Sequence, residues 1–291
     1  KLHKYTLMAN KEESLTNLTK RRLGKTELQV TELGLGAMDT PQTENGFETI
    51  SKAIDLGINF IDTARIYQNS EYLIGQVLKE KSNTNIHINS KTIFKDADGC
   101  QYDIDKSLKF IGVNKLSSYQ IHDLKIKDWD QVMGSNGALE GLKIARIRGL
   151  IDFIGVSSHE LPVIEKVIQC GEFDTVMIEY SAFYPISKDL LELAKQKNVG
   201  VIIMRPLGGS GRTSSIRNQM RNPNFKLSIT PQQLLKYVFS NPNVSTAIVG
   251  ARFPSRIIEN VITASNYDIL NDSEIKTSEK DAELLFDYQN N

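Results

Sequence analysis

Gly34-Leu35-Gly36-Ala37-Met38 closes the first apolar strand candidate, Leu33–Leu35, and its reading separates two architectures. A doubly wound dinucleotide fold places a glycine fingerprint in its first strand-to-helix turn, where the glycines let the backbone approach a pyrophosphate. This stretch does not complete that fingerprint. The competing architecture is an α/β fold of one domain, the (β/α)8 TIM barrel, which asks instead for eight strand and helix pairs.

Outward from Leu33, eight short apolar runs predict strands: Leu33–Leu35, Asn59–Asp62, Ile86–Ser90, Ser118–Ile121, Phe153–Val156, Thr175–Ile178, Val199–Ile203 and Thr246–Val249. Each is followed by a helical segment, near 45–57, 70–79, 101–111, 137–149, 161–170, 187–197, 230–239 and 255–264. Alternation of this kind builds a parallel sheet, and eight pairs predict its closure. Pro162 and Pro231 suit first helical turns, Thr230 is placed to cap the helix after it, and Gly57, Gly112, Gly171 and Gly200 punctuate helix ends. Residues 1–20 lack either periodicity and read as an arm outside a barrel over 21–291; a further helix is predicted near 278–288.

Composition narrows the function classes. Lysine plus arginine equals aspartate plus glutamate at 35 each, so no global field would hold a nucleic acid, and any anion site must be local. Cys100 and Cys170 stand alone, without a CxxC or Cys/His cluster, which argues against a metal centre or a disulfide framework and fits a cytoplasmic protein. No apolar run approaches the ~18 residues of a membrane span.

In a barrel, reactive groups belong at the carboxyl ends of the strands. Asp62 ends the second strand and Tyr67 follows it, Lys91 follows the third, His122 the fourth, Ser157 and Ser158 the fifth, Glu179 the sixth and Arg205 the seventh. Singly each has a plain structural reading: a helix cap, a rim aromatic, a solvated charge, a buried histidine. Together, Asp62, Tyr67, Lys91 and His122 would make an acid set for carbonyl reduction. The Lys91 ammonium would lower the Tyr67 pKa, Asp62 would orient Lys91, and His122 would direct a carbonyl oxygen toward the phenol. Such a set supplies a proton and no hydride, so a nicotinamide is implied. Gly208-Gly209-Ser210-Gly211-Arg212 offers small residues whose amides can approach phosphate oxygens.

Asn59-Phe60-Ile61-Asp62-Thr63-Ala64-Arg65-Ile66-Tyr67, with Asn69-Ser70-Glu71 and Ile74-Gly75, resembles the signature of the aldo-keto reductases. Matches continue in the family's order through Ser90-Lys91-Thr92, Tyr119-Gln120-Ile121-His122-Asp123, Ile154-Gly155-Val156-Ser157-Ser158-His159 and Arg205-Pro206-Leu207-Gly208-Gly209, to Arg252, Arg256, Glu259 and Asn260. The resemblance implies that Asp62, Tyr67, Lys91 and His122 are a catalytic tetrad serving a small-molecule carbonyl substrate. It implies bound NADPH (NADP+), with its amide near Ser157 and Ser158, its pyrophosphate near Leu207, Gly209, Gly211 and Arg212, and Arg205 as a further cofactor-binding residue. The adenosine phosphate would lie near Arg252 and Arg256, and the adenine by Asn260. It allows a second role, an NADP(H)-binding regulatory subunit with slow or no turnover. Three positions depart from the family pattern: Ser158 and Met177 stand where many members have asparagine and glutamine, and Met204 where a tyrosine is common.

Overall fold

The computed structural model describes residues 17–81, 85–222, 224 and 227–290. A short antiparallel hairpin, β1 (Lys20–Arg22) and β2 (Gln29–Thr31), precedes eight parallel strands that close on themselves. These are β3 (Leu33–Gly36), β4 (Phe60–Asp62), β5 (His87–Thr92), β6 (Leu116–Ile121), β7 (Ile151–Ser157), β8 (Thr175–Glu179), β9 (Gly200–Met204) and β10 (Thr246–Gly250). Closure runs through β10 and β3, with Ala247 opposite Leu33. The eight helices of the outer ring are Glu44–Asp55, Ser70–Glu80, Ala97–Ile111, Ala138–Ile147, Leu161–Cys170, Lys188–Gln196, Pro231–Phe239 and Pro254–Ser265. The fold is therefore the expected single-domain (β/α)8 barrel.

Strand alternation sorts the side chains into two sets. Outward residues such as Ile88, Tyr119, Ile154, Val156 and Val176 join the helices in the main apolar core. Inside the barrel a smaller cluster of Leu23, Val30, Phe60, Met177 and Ile202 is buried. Leu23 and Val30 belong to the N-terminal hairpin and its turn, so the hairpin seals the lower end of the barrel, each side chain contributing about 1.5–3 kcal/mol. Arg21 fastens the seal, donating to the carbonyls of Phe239, Asn241 and Val244 at 2.6–3.0 Å and pairing with buried Glu32 at 2.9 Å.

Several boundaries differ from the sequence reading. The arm assigned to residues 1–20 lies outside the described residues as far as 16, and from Leu18, which is buried, the chain is packed on the barrel. Gly200 ends no helix: it starts β9, where a Cβ would come within 2.8 Å of Leu23 Cδ1 in the hairpin turn. Left-handed Asn198, φ 56°, makes the turn before it. Thr230 does cap, accepting from Gln233 N at 3.0 Å. Two further helices, Ser210–Gln219 and Trp129–Met133, were not predicted, and the C-terminal helix, Asp272–Asn290, starts earlier than its apolar spacing suggests. Ser210–Gln219 buries only Ile216, so it carries no apolar stripe to read.

Candidate active site

The strands bring Asp62, Tyr67, Lys91 and His122 together at the carboxyl end of the barrel. Lys91 on β5 lies beside Asp62, the last residue of β4, and its Nζ donates to Asp62 Oδ1 at 2.6 Å, Oδ2 at 2.7 Å and Thr63 O at 2.8 Å. All three ammonium donors are thus used, and the charge is held in one place. Tyr67 comes from the turn after β4. Lys91 Nζ lies 5.1 Å from the centre of its ring, and its hydroxyl is 3.4 Å from His122 Nε2. The two rings meet edge to face, their centres 5.4 Å apart.

The turn that delivers Tyr67 is braced from below. Thr63 N donates to Asn89 O and Arg65 N to Lys91 O, so the turn follows β5 rather than leaving it. Arg65 pairs with buried Glu71 from helix Ser70–Glu80, and Glu71 also accepts from Ser90 Oγ at 2.7 Å. Thr63 Oγ1 donates to Ser70 Oγ, which donates to Ala37 O. This bracing gives a physical reason for the Asn69-Ser70-Glu71 part of the sequence motif.

Charge in the site follows burial. Asp62 is pushed up by desolvation, and Lys91 is pushed down by the same cause, each opposed by the other's charge. Burial, then the charge of Asp62, raises the Tyr67 phenol well above the ordinary tyrosine range, while Arg205 pulls the other way. The sequence reading expected a lowered Tyr67 pKa, and burial with the Asp62 charge raises it instead. The ammonium faces the phenol ring and spends its three donors on Asp62 and Thr63. Burial, then Lys91, lowers the His122 imidazole to about 3, so it is neutral at ordinary pH.

A cavity of about 890 Å³ runs from Tyr67 and His122 across the barrel mouth, past Ser157, Ser158, Met177 and Met204, to Arg252, Arg256 and Asn260. Every residue predicted for catalysis or cofactor binding lines it except Lys91, which is fully buried, and Glu179 is not among its walls. Ser157 Oγ accepts from Asp123 N at 2.9 Å and keeps its own proton to donate; Ser158 Oγ already donates to Leu124 O at 2.7 Å and accepts from Glu160 N. Met177 is buried in the barrel interior, and Met204 packs on the same cluster.

The far half of the cavity suits an elongated anion. Gly208 and Gly209 take φ of 78° and 93°, and helix Ser210–Gln219 begins at once, so its first-turn backbone N–H groups face the loop. A Cβ on Gly208 would strike Phe183 at 2.6 Å, and Gly211 has open space around it. Leu207 is buried beside this loop. Arg212 lies over the Phe183 ring, Arg205 pairs with Glu179 at 3.3 Å, and Arg252 is exposed. Arg256 is bound by both oxygens of Glu259 at 2.8 and 2.9 Å, and Arg217 reaches the same carboxylate at 3.0 Å. The sequence reading missed Asp39, whose carboxylate accepts from Ser210 Oγ at the start of that helix, and Asn89, which donates to Asp62.

The family model described as Aldo/keto reductase family matches residues 32–230. The chain belongs to the aldo/keto reductase family, the class that its barrel and its oxidoreductase relatives define. It is 24% identical over 298 residues to YqkF, an uncharacterised oxidoreductase of Bacillus subtilis, covering 89% of this chain and 95% of that protein. It is 24% identical over 306 residues to L-galactose dehydrogenase of Arabidopsis thaliana, covering 93% and 95%. The solved holo form of aldo-keto reductase AKR11C1 from Bacillus halodurans has the same fold, with a TM-score of 0.77, 21% identity, and coverage of 91% of this chain and 96% of that one.

Proposed function

We propose that this chain is an NADPH-dependent enzyme that reduces an aldehyde or ketone to an alcohol, or runs the reverse, with Tyr67 as general acid in reduction and general base in oxidation. The observation that carries the reading is the Tyr67 hydroxyl 3.4 Å from a neutral His122 Nε2, beside the buried Lys91 and Asp62 pair. A phenol raised by burial holds its proton at neutral pH, which is the state an acid needs. A neutral His122 can turn a carbonyl oxygen toward that phenol without competing for the proton.

NADPH, when bound, supplies the hydride. Ser157 has a free hydroxyl proton for its amide, the Leu207–Arg212 segment has amides and charge for its pyrophosphate, and Arg252 and Arg256 have charge for its adenosine phosphate. Asn260 lies where the adenine would end. A small-molecule carbonyl compound is the expected partner, and the unpaired Cys100 and Cys170 suit a reducing cytoplasm. The complete set of four polar groups favours turnover over a purely regulatory, NADP(H)-holding role.

The test is loss of NADPH absorbance with purified protein and a panel of aldehydes and ketones, beside Tyr67→Phe. Turnover should appear with at least one carbonyl, and the variant should lose about 100-fold or more of it while binding NADPH as before. NADPH binding without turnover on any carbonyl would support the regulatory role instead. A phenylalanine variant as fast as the wild type would remove Tyr67 from the chemistry.

A further inference from the structure

Asn89 stands two residues before Lys91 on β5, fully buried inside the barrel. Its Nδ2 donates to Asp62 Oδ1 at 2.7 Å, so that oxygen receives both the Lys91 ammonium and the Asn89 amide. The amide can face Asp62 in only one way, because its oxygen turned to the carboxylate would set two acceptors against each other. The other end of Asn89 belongs to a polar patch. Asn89 Oδ1, Ser118 Oγ and Gln120 Oε1 are buried and, among the described residues, have no hydrogen-bond partner.

The register places the residues that carry them on neighbouring strands. Asn89 is opposite Ser118 across β5 and β6, and Gln120, the next inward position on β6, is opposite Lys91. Gln120 reaches across Gly155 to Thr175 Oγ1 at 3.3 Å, a path that a Cβ on Gly155, 2.2 Å from the same oxygen, would block. Burying polar groups in a barrel interior costs free energy unless each is bonded, so apolar residues would serve packing better here. An amide oxygen that accepts and a hydroxyl that donates, on neighbouring strands at Asn89 and Ser118, can share a single enclosed water.

We propose that Asn89 is a positioning residue: its amide sets the plane of the Asp62 carboxylate toward Lys91, and one enclosed water shared with Ser118 fixes that amide. The proposal rests on the reading of Asp62, Lys91 and Tyr67 as the proton-transfer set. Asp62 faces Lys91 from β5, Tyr67 from its own turn and, beyond Lys91, His122 after β6 and Glu71 from helix Ser70–Glu80. Of these only Lys91 neutralises it, so the uncharged donor of Asn89 is what remains to hold the carboxylate in its ionised form. Without that donor the protonated form gains, and Asp62 takes up its proton at higher pH.

The test uses Asn89→Leu, which keeps the branched outline, adds volume and removes the donor, and Asn89→Ala, which carries the test if the leucine variant does not fold. Two readouts are followed against pH: kcat and KM for an active carbonyl, and the carboxylic-acid C=O infrared band that disappears in Asp62→Asn. The expected result is a kcat about ten- to hundredfold lower with KM and NADPH affinity unchanged. The acid limb and the infrared midpoint should both move to higher pH. Ser118→Ala should give a smaller shift in the same direction. A folded Asn89 variant whose infrared midpoint and acid limb stay at wild-type values overturns the proposal. If Asp62→Asn itself reduces carbonyls normally, the proton-transfer reading has failed, and the infrared midpoint still judges Asn89 by itself.

Discussion

Arg256 and Glu259 show how one side chain's partner changes what its charge is worth. Glu259 is shared by Arg217 and Arg256, so the three together carry one net positive charge at the adenosine end of the cavity. Arg256→Ala should therefore weaken NADPH binding about tenfold and leave NADH nearly unchanged, a contrast that titration of tyrosine and Trp129 fluorescence would measure. Equal losses for both cofactors would mean that Arg256 supports the helix and not the phosphate. At His122 the effect is on stability. Its imidazole titrates near 3 when folded against 6.5 ordinarily, so below about pH 6.5 the unfolded chain binds a proton that the folded chain refuses. Stability on the order of a few kcal/mol is lost as pH falls from about 6.5 toward 3. The melting temperature of His122→Gln should accordingly fall less than that of the wild type between pH 7 and pH 4; parallel curves would contradict a buried neutral imidazole.

Among the elements, the Ile74-Gly75 step of the sequence motif acquires a cause. Helix Ser70–Glu80 lies so close to helix Ala97–Ile111 that a Cβ on Gly75 would meet Phe110 O at 2.6 Å and Ile111 O at 2.7 Å. Both neighbours are backbone and cannot swing aside. Gly75→Ala should cost about 1–3 kcal/mol in denaturant unfolding despite alanine's better helix propensity, and a stabilised variant would show that the helices separate freely. The eight strands were legible because each is a short run with apolar residues, followed by a helical segment, and their ends differ from the reading by at most two positions. The glycine loop at 208–212 was legible as a phosphate-type loop. The helix that starts inside it was not, since SGRTSSIRNQ has no periodic stripe and buries only Ile216. The four polar residues at the strand ends could be placed from their positions alone. Asn89 could not, because nothing in a sequence tells whether a strand asparagine faces a carboxylate or water.

The whole molecule divides into a mouth that carries polar chemistry and a floor that carries closure. Arg21 joins the hairpin to the segment after helix Pro231–Phe239 and to Tyr267, and it neutralises Glu32, which is fully buried. Arg21→Met should remove about 3 kcal/mol and lower the melting temperature by several degrees, with kcat unchanged; an equal fall in kcat would mean that floor and mouth are coupled. The pairing of Leu33 with Ala247 has a further consequence, in time. On a ribosome adding ~5–20 residues per second, β3 waits roughly ten to forty seconds for β10 to be made. During that interval its free edge is an open template for any other nascent strand, so overexpression should reward slower synthesis or a chaperone that shelters the amino-terminal half.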